Sequence, residues 1–181
     1  MATICNCRQK RNVGQPYMLI IITLKEIIQS MWEEKEYKIG YTTGVFDMFH
    51  IGHLNILRKA KEQCEYLIVG VTTDELCIRR KGKKPIICED DRKAIVEALK
   101  YVDKVVAQDT MDKLSAVKKY NADVVFVGSD WQGTEAWNNF ERQFAEVGCT
   151  VVYLTHTDGI SSSILRERLN SQAAVTDNYK T

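Results

Sequence analysis

The sequence predicts an α/β protein built on a five-stranded parallel sheet with helices on both faces. Two observations lead to this class. From residue 37 onward, short runs rich in β-branched and aromatic residues alternate with stretches of helical periodicity. Such alternation is typical of parallel sheets joined by right-handed crossovers. The chain has 181 residues, 45% of them hydrophobic, which is enough to bury one core without disulfides or metals.

The order of elements follows from these runs. The predicted strands are 37–43, 66–73, 102–108, 122–128 and 149–155. The predicted helices are 53–63, 89–100, 111–119, 134–146 and 161–170. The domain therefore covers residues 38–170, and the polar residues 171–181 are expected to form a loose tail. Ligands of such sheets bind at the carboxyl ends of the strands, so each motif can be tested by its location.

Residues 1–37 form an N-terminal extension of different character. Pro16 is placed to begin a helix, and apolar residues then recur at helical spacing, which predicts one amphipathic helix. The apolar run 17–24 is shorter than the roughly 20 residues of a membrane-spanning helix. Lys25 and Glu26 follow where a signal peptide would have its cleavage site. We therefore expect a cytoplasmic protein with no stable membrane span.

Charge and cysteine content exclude other classes. The formal net charge is +1, so no global field favours nucleic acid, and no nucleic-acid partner is expected. The six cysteines are scattered without paired zinc spacing. Reduced thiols in the cytoplasm are the expected state.

The first motif is GVFDMFHIGHLNIL, residues 44–57, which follows the first strand and opens the first helix. Gly44 can adopt a positive φ and let a ligand approach the backbone. Gly52 keeps a side chain out of the space between His50 and His53. The N–H groups and positive dipole end of the helix point to the same place. These features predict a phosphate site with two imidazole donors. Zinc is the alternative, but no third ligand with metal spacing stands nearby.

Two further motifs follow other strands at the same edge. RRKGKK, residues 79–84, holds five cations around Gly82 and is predicted to be a flexible loop that closes over phosphates. A solvated basic loop is its alternative. TDGISSSILR, residues 157–166, offers serine hydroxyls at a helix start, with Arg166 one turn along.

The segment HIGH preceded by GVFD resembles the signature of the nucleotidyltransferase superfamily, and its GxFDxxHxGH form is similar to the small cytidylyltransferases. Residues 90–106 resemble the ER-to-RYVDEV segment of that family, with Arg92 and Asp103 at matching positions. GSDWQG, residues 128–133, resembles its GDDW element, and the third motif resembles ISSTxxR. The likeness spans about residues 38–168 and is strongest to the bacterial glycerol-3-phosphate cytidylyltransferases. It implies a Rossmann-like nucleotidyltransferase fold, a homodimer, and Mg²⁺ bound with CTP.

The resemblance also implies site residues. The catalytic set is His50, His53, Lys81, Lys83 and Arg166. The nucleotide-binding set is Thr43, Gly44, Val45, Phe46, Asp47, Gly52, Asp103, Gly128, Asp130, Trp131, Gly159, Ile160, Ser161 and Ser162. The acceptor-phosphate set is Lys83, Lys100 and His156. Asp47 is expected to help to orient Mg²⁺, most of whose ligands are phosphates and water.

The expected reaction is transfer of CMP from CTP to a phosphorylated alcohol, with glycerol 3-phosphate as the first choice. Lys100 and His156 stand where the family has arginines, which leaves phosphoethanolamine, phosphocholine and other polyol phosphates open. An adenylyltransferase of the same superfamily is an alternative. A nucleotide-binding protein without turnover is an alternative of another class.

Overall fold

A computed structural model describes residues 35–177 of the chain, with side chains as far as Gln172. The described residues belong to one unit that begins at Lys35. The predicted amphipathic helix of the N-terminal extension lies outside the described residues, as do residues 178–181 of the predicted tail.

The described residues contain five strands and six α-helices. The strands are β1 (Tyr37–Gly44), β2 (Cys64–Thr72), β3 (Lys104–Gln108), β4 (Val124–Gly128) and β5 (Thr150–Leu154). The helices are α1 (Ile51–Gln63), α2 (Asp74–Lys81), α3 (Glu89–Glu97), α4 (Lys113–Tyr120), α5 (Glu135–Ala145) and α6 (Ser162–Asp177). One turn of 3₁₀ helix spans Ser129–Trp131.

The strands form one sheet in the order β3-β2-β1-β4-β5, and every neighbouring pair is parallel. This confirms the predicted five-stranded parallel sheet. The chain moves from β1 toward one edge through β2 and β3, and β4 then lies on the other side of β1. The strand order therefore reverses between β1 and β4, and a crevice outside their carboxyl ends is the expected ligand site.

A hydrophobic core lies on each face of the sheet, which confirms helices on both faces. On one face, Leu57 of α1 and Val96 of α3 are fully buried. On the other, Val117 of α4 and Phe144 of α5 are buried against the strands. Burying a side chain such as Phe144 contributes about 1.5–3 kcal/mol, so these layers fix the strand ends that carry the site.

Two parts of the prediction differ from the structure. Helix α2 was not predicted, because its eight residues carry too few apolar side chains to show a periodicity. Helix α6 continues to Asp177. The prediction of a loose tail from residue 171 is therefore wrong for residues 171–177. Within residues 35–177, no helix is long and apolar enough to cross a membrane.

Candidate active site

His50 lies at the end of the turn between β1 and α1, where it caps the helix. Its Nδ1 accepts a hydrogen bond from the backbone N–H of Gly52 at 3.1 Å. A neutral imidazole that accepts at Nδ1 carries its proton on Nε2. Burial, and then the nearby His156, lower the pKa of His50 from its usual 6.5. His50 is therefore a neutral donor whose Nε2–H has no hydrogen-bond partner among residues 35–172 and can serve a ligand.

His53 lies in the first turn of α1 and stacks on His50, with ring centroids 3.9 Å apart. The ring of Phe46 packs against it edge-on at 5.3 Å. Burial, and then His50, lower the pKa of His53 to about 4, so this imidazole is also neutral at pH 7. Its Nδ1 is buried without a hydrogen-bond partner among the described residues. The pair offers hydrogen bonds rather than fixed charge.

The glycine between the two histidines leaves room for the ring of His50. A Cβ on Gly52 would lie 2.9 Å from Cε1 and 3.0 Å from Nδ1 of that ring, so a side chain here would force the ring to turn. The same Cβ would lie 3.5 Å from Cγ2 of Ile160, so the loop before α6 reaches this turn. A side chain at position 52 would therefore meet His50 and Ile160, and its predicted effect on the space between the two histidines stays a prediction.

Three adjoining clefts open at the carboxyl ends of β1 and β4. The histidine cleft has a volume of about 370 Å³. It is lined by Thr42, Thr43, Gly44, Phe46, His50, Gly52, His53, Ile56, Lys81, Val127, Gly128, Asp130, Trp131, His156, Ser161 and Ser162. It brings together the first and third motifs and the segment after β4, as predicted from their positions behind parallel strands.

The arginine cleft, of about 140 Å³, adjoins the first. It is lined by Val45, Asp47, Cys77, Lys81, Lys83, Lys84, Pro85, Ser162, Ser163 and Arg166. Four cations and two serines face this small space, while the carboxylate of Asp47 is paired with Arg166. The cleft suits an anion with several charges.

The lysine cleft, of about 260 Å³, adjoins the histidine cleft, with which it shares Thr43, Gly44, Lys81, Val127 and Trp131. It is lined by Thr43, Gly44, Val45, Thr72, Arg80, Lys81, Gln108, Met111, Lys113, Phe126, Val127, Trp131, Ala136, Trp137 and Phe140. Three of these residues are cationic. None of the described side chains that line the lysine cleft is acidic.

Lys113 in this cleft was not predicted from the sequence. It is 8% exposed, its Nζ donates to Oγ1 of Thr43 at 2.7 Å, and it lies 5.6 Å from the ring centroid of Trp137. Burial, and then Arg80, lower its pKa from 10.5 to about 8. The sequence carries a weak signal of this burial. Lys113 lies four residues before Val117, so it falls on the apolar face of α4.

Lys81 lines all three clefts. It is the last residue of α2, which begins at a capping hydroxyl of Thr73 and ends at Gly82 with φ 64°. The prediction of a flexible basic loop over residues 79–84 is therefore wrong for residues 79–81, which are helical. Threonine before two acidic residues, and glycine directly after three cations, are the capping signals that predict this helix.

Two predicted site residues lie at the amino ends of the strands, away from the clefts at the carboxyl ends. Asp103 precedes β3 and accepts hydrogen bonds from the backbone N–H of Leu67 and from Nζ of Lys61, both at 2.6 Å. Lys100 lies just before it, with its Nζ 5.1 Å from the ring centroid of Tyr101. Residues that precede a parallel strand lie at its amino end. The predictions that Asp103 binds nucleotide and that Lys100 binds acceptor phosphate are therefore wrong for the clefts of this chain.

The remaining predicted residues lie in the loop before α6. His156 lines the histidine cleft close to His50. Gly159 has φ 77° and does not line any of the three clefts. Its place is therefore the turn of this loop, where a left-handed backbone favours glycine.

Arg92, which the sequence matched to the family, is fully buried and connects four segments. It donates to the carbonyl oxygens of Val45 at 2.5 Å, Thr72 at 2.8 Å and Ile87 at 3.0 Å. It also pairs with Asp74 at 2.6 Å. All its contacts are internal, so it fixes the ends of β1 and β2 beneath the clefts.

The side chains that the structure describes do not form a cage for a metal ion at this site. No group of three His, Cys, Asp or Glu residues between residues 35 and 172 is arranged to hold one. The carboxylate of Asp47 accepts from the backbone N–H groups of Ile86 and Ile87 and from Arg166. The predicted role of Asp47 as a magnesium ligand therefore conflicts with its hydrogen bonds.

Comparison with known proteins gives a consistent result. A family model described as cytidylyltransferase-like matches residues 41–168. Glycerol-3-phosphate cytidylyltransferase from Bacillus spizizenii is 36% identical over 131 residues, 72% of this chain and 95% of that protein. The protein of the same name from Staphylococcus aureus is 36% identical over 134 residues, 74% and 96% of the two chains.

A solved structure is also similar. The lipopolysaccharide core biosynthesis protein from Thermoplasma volcanium superposes with a TM-score of 0.56 and 30% identity. The match covers 67% of this chain and 97% of that one.

Proposed function

Because the chain belongs to the cytidylyltransferase-like family and is a nucleotidyltransferase, we propose that it transfers CMP from CTP to glycerol 3-phosphate. The products are CDP-glycerol and pyrophosphate. The observation that carries the proposal is the position of Lys81, which lines the histidine, arginine and lysine clefts together. One cation thus adjoins the spaces for nucleotide, leaving group and acceptor.

The histidine cleft is the proposed site for the cytidine and the α-phosphate. Asp130 and Trp131 line it together with Gly128, where a Cβ would lie 2.4 Å from Oδ1 of Asp130. The carboxylate folded over this glycine suits the amine of a pyrimidine. The neutral Nε2–H of His50 then donates to an oxygen on the α-phosphate, where negative charge grows during the reaction.

The arginine cleft is the proposed site for the β- and γ-phosphates. Ser162 lines both this cleft and the histidine cleft, so a chain of linked phosphates passes from one to the other. Arg166 and Lys83 neutralise charge on the departing pyrophosphate. We propose that Mg²⁺ enters with the triphosphate, since the side chains of residues 35–172 supply no metal cage.

The reaction needs no enzyme nucleophile. An oxygen of the acceptor phosphate attacks the α-phosphorus, a new P–O bond forms, and the bond to the β-phosphate oxygen breaks with its electron pair leaving on pyrophosphate. A phosphate monoester has its second pKa near 6, so its oxygen is already anionic at pH 7. Catalysis is then positioning and charge neutralisation.

The lysine cleft supports a polyol phosphate as the acceptor. Lys113, Arg80 and Lys81 favour a dianionic phosphate, and the absence of acidic side chains among the described lining residues leaves nothing to pair with an ammonium head group. This chemistry disfavours phosphoethanolamine and phosphocholine. The name of the two bacterial relatives above points to the same acceptor.

The test is pyrophosphate release from each nucleoside triphosphate with each of four acceptors: glycerol 3-phosphate, ribitol 5-phosphate, phosphoethanolamine and phosphocholine. We expect turnover with CTP and glycerol 3-phosphate, and a loss of about 10²-fold or more in Lys81→Gln. Arg79→Gln, on the same helix but outside the clefts, is the control and keeps the wild-type rate. Release with ATP alone would move the protein to the adenylyltransferases. Tight CTP binding without any product would contradict an enzymatic role.

A further inference from the structure

Asp47 is a buried residue that lies between two residues with left-handed backbone conformations. It is 3% exposed, and its neighbours Phe46 and Met48 have φ values of 55° and 48°. Only one other non-glycine residue in the described part of the chain, Asn121, has a positive φ, and it ends helix α4. Two strained residues around one buried carboxylate persist only where the surroundings hold them in place.

The carboxylate of Asp47 joins segments that are distant in sequence. Its Oδ1 accepts from the backbone N–H of Ile87 at 2.9 Å, and its Oδ2 accepts from that of Ile86 at 3.0 Å. The guanidinium of Arg166 on α6 donates to the same Oδ2. The backbone oxygen of Asp47 accepts from Oγ of Ser162 at 2.8 Å. The turn after β1, the segment after Lys84 and the start of α6 therefore meet here.

These contacts keep the carboxylate of Asp47 ionised and engage both of its oxygens in hydrogen bonds. Burial raises its pKa, but the N–H groups of Ile87 and Ile86 and the guanidinium of Arg166 outweigh burial and hold the pKa below its usual 3.8. Arg166 has its Nε buried without a partner among the described residues. Asp47 is thus its one ion-pair partner in the described chain, and without it the guanidinium would have no fixed direction.

We propose that Asp47 is a positioning residue for the triphosphate, which acts through Arg166 and through the backbone of Ile86 and Ile87. Its carboxylate sets the direction of the guanidinium and anchors the end of the basic segment that carries Lys83. The proposal rests on the proposed function. It assigns to Asp47 a role as an internal clamp, by which we mean its contacts with Arg166, Ile86 and Ile87, in place of the magnesium ligation expected from sequence.

The first test needs no substrate and no variant. We expect the amide hydrogens of Ile86 and Ile87 to exchange slowly in the wild-type protein without nucleotide, although the side chain of Ile86 is 61% exposed. Exchange at the rate of an open loop would overturn the clamp. This result is independent of whether CTP is the substrate.

The second test is a double-mutant cycle on CTP binding with Asp47→Asn, Arg166→Gln and the double variant. Loss of a hydrogen bond to a charged group predicts that Asp47→Asn weakens CTP binding about tenfold or more. Because Asp47 acts partly through Arg166, the double variant should bind CTP more tightly than the product of the two single losses predicts. Independent, multiplying losses would overturn the proposal. Tighter CTP binding in Asp47→Asn would also overturn it, since the Asp47 carboxylate would then compete with the triphosphate for Arg166.

Two readouts separate positioning from other roles. The KM for the acceptor phosphate should stay within about twofold in Asp47→Asn, whereas a general loosening of the site would raise both KM values and a misfolded fraction would lower kcat alone. The Mg²⁺ concentration for half-maximal activity should stay unchanged, whereas a metal ligand would raise it. Asp90→Asn, an exposed isosteric change on α3, is the matched control.

If Asp47→Asn does not fold, Ser162→Ala offers a second test. This variant removes the contact to the Asp47 carbonyl, and faster exchange at Ile86 and Ile87 is then the expected result. Unchanged exchange there would count against the clamp.

Discussion

Replacing Lys113 by methionine is expected to stabilise the free protein and to weaken acceptor binding. The lysine is buried, and its pKa falls from 10.5 to about 8, which corresponds to about 3 kcal/mol since each tenfold factor is worth about 1.4 kcal/mol. The hydrogen bond to Thr43 and the contact with Trp137 return about 1–2 kcal/mol. Methionine has a similar shape, carries no charge and makes neither polar contact. It removes the cost of about 3 kcal/mol together with the contacts worth about 1–2 kcal/mol, so a net gain of about 1–2 kcal/mol remains. For a chain of this size the gain amounts to roughly 4 °C in Tm.

The pH dependence follows from the sign of this shift. The unfolded chain keeps the Lys113 proton up to about pH 10.5, whereas the folded protein loses it near pH 8. The cost is therefore complete below pH 8 and disappears as the pH rises from 8 to 10.5. Wild-type protein should gain stability across that interval relative to Lys113→Met. Thermal unfolding at pH 7.5 and 10 measures the difference.

The same variant should raise the KM for glycerol 3-phosphate about tenfold or more, because a charged hydrogen bond to phosphate is lost. The KM for CTP should stay within about twofold. Lys118→Met, an exposed change on the same helix, should alter neither value. A lower Tm together with an unchanged acceptor KM would refute the reasoning, since Lys113 would then be a structural lysine.

Further predictions concern the histidine turn and Arg92. His50→Ala and His53→Ala should each lower kcat about 10²-fold in the pyrophosphate assay, by loss of a donor to the reacting phosphate; losses under about threefold would contradict that role. Because the folded pKa of His53 is about 4, below the usual 6.5, the protein should lose stability as pH falls from 6.5 to 4. Urea unfolding should show a shallower loss in His53→Gln. Gly52→Ala forces the ring of His50 to turn and should lower kcat about tenfold with little change in Tm; full activity would contradict it. Arg92→Lys breaks most of four buried contacts and should cost about 3 kcal/mol or more in urea unfolding, and an unchanged midpoint would count against its bracing role.

The sheet could be predicted because each strand is a short apolar run between helical stretches. All five strands lie within two residues of their predicted bounds at each end, since burial on both faces selects the same residue types along each strand. Helix α2 could not be predicted by periodicity, because capping and tertiary contacts rather than an apolar stripe hold its eight residues.

The candidate site was predictable where position in the fold and motif agreed. His50, Lys81 and Arg166 all follow strands and line adjoining clefts. Asp103 and Lys100 were assigned by resemblance alone, although a residue before a parallel strand lies at the other edge. The homodimer stays a prediction, which sedimentation of the full chain would check.

A crystal structure of the protein with CTP would test the central claim most directly, namely that one triphosphate spans the histidine and arginine clefts. We predict α-phosphate oxygens within hydrogen-bond distance of the imidazoles of His50 and His53, and the β- and γ-phosphates beside Lys83 and Arg166. A triphosphate bound elsewhere on the surface, or one that leaves both imidazoles uncontacted, would contradict the account.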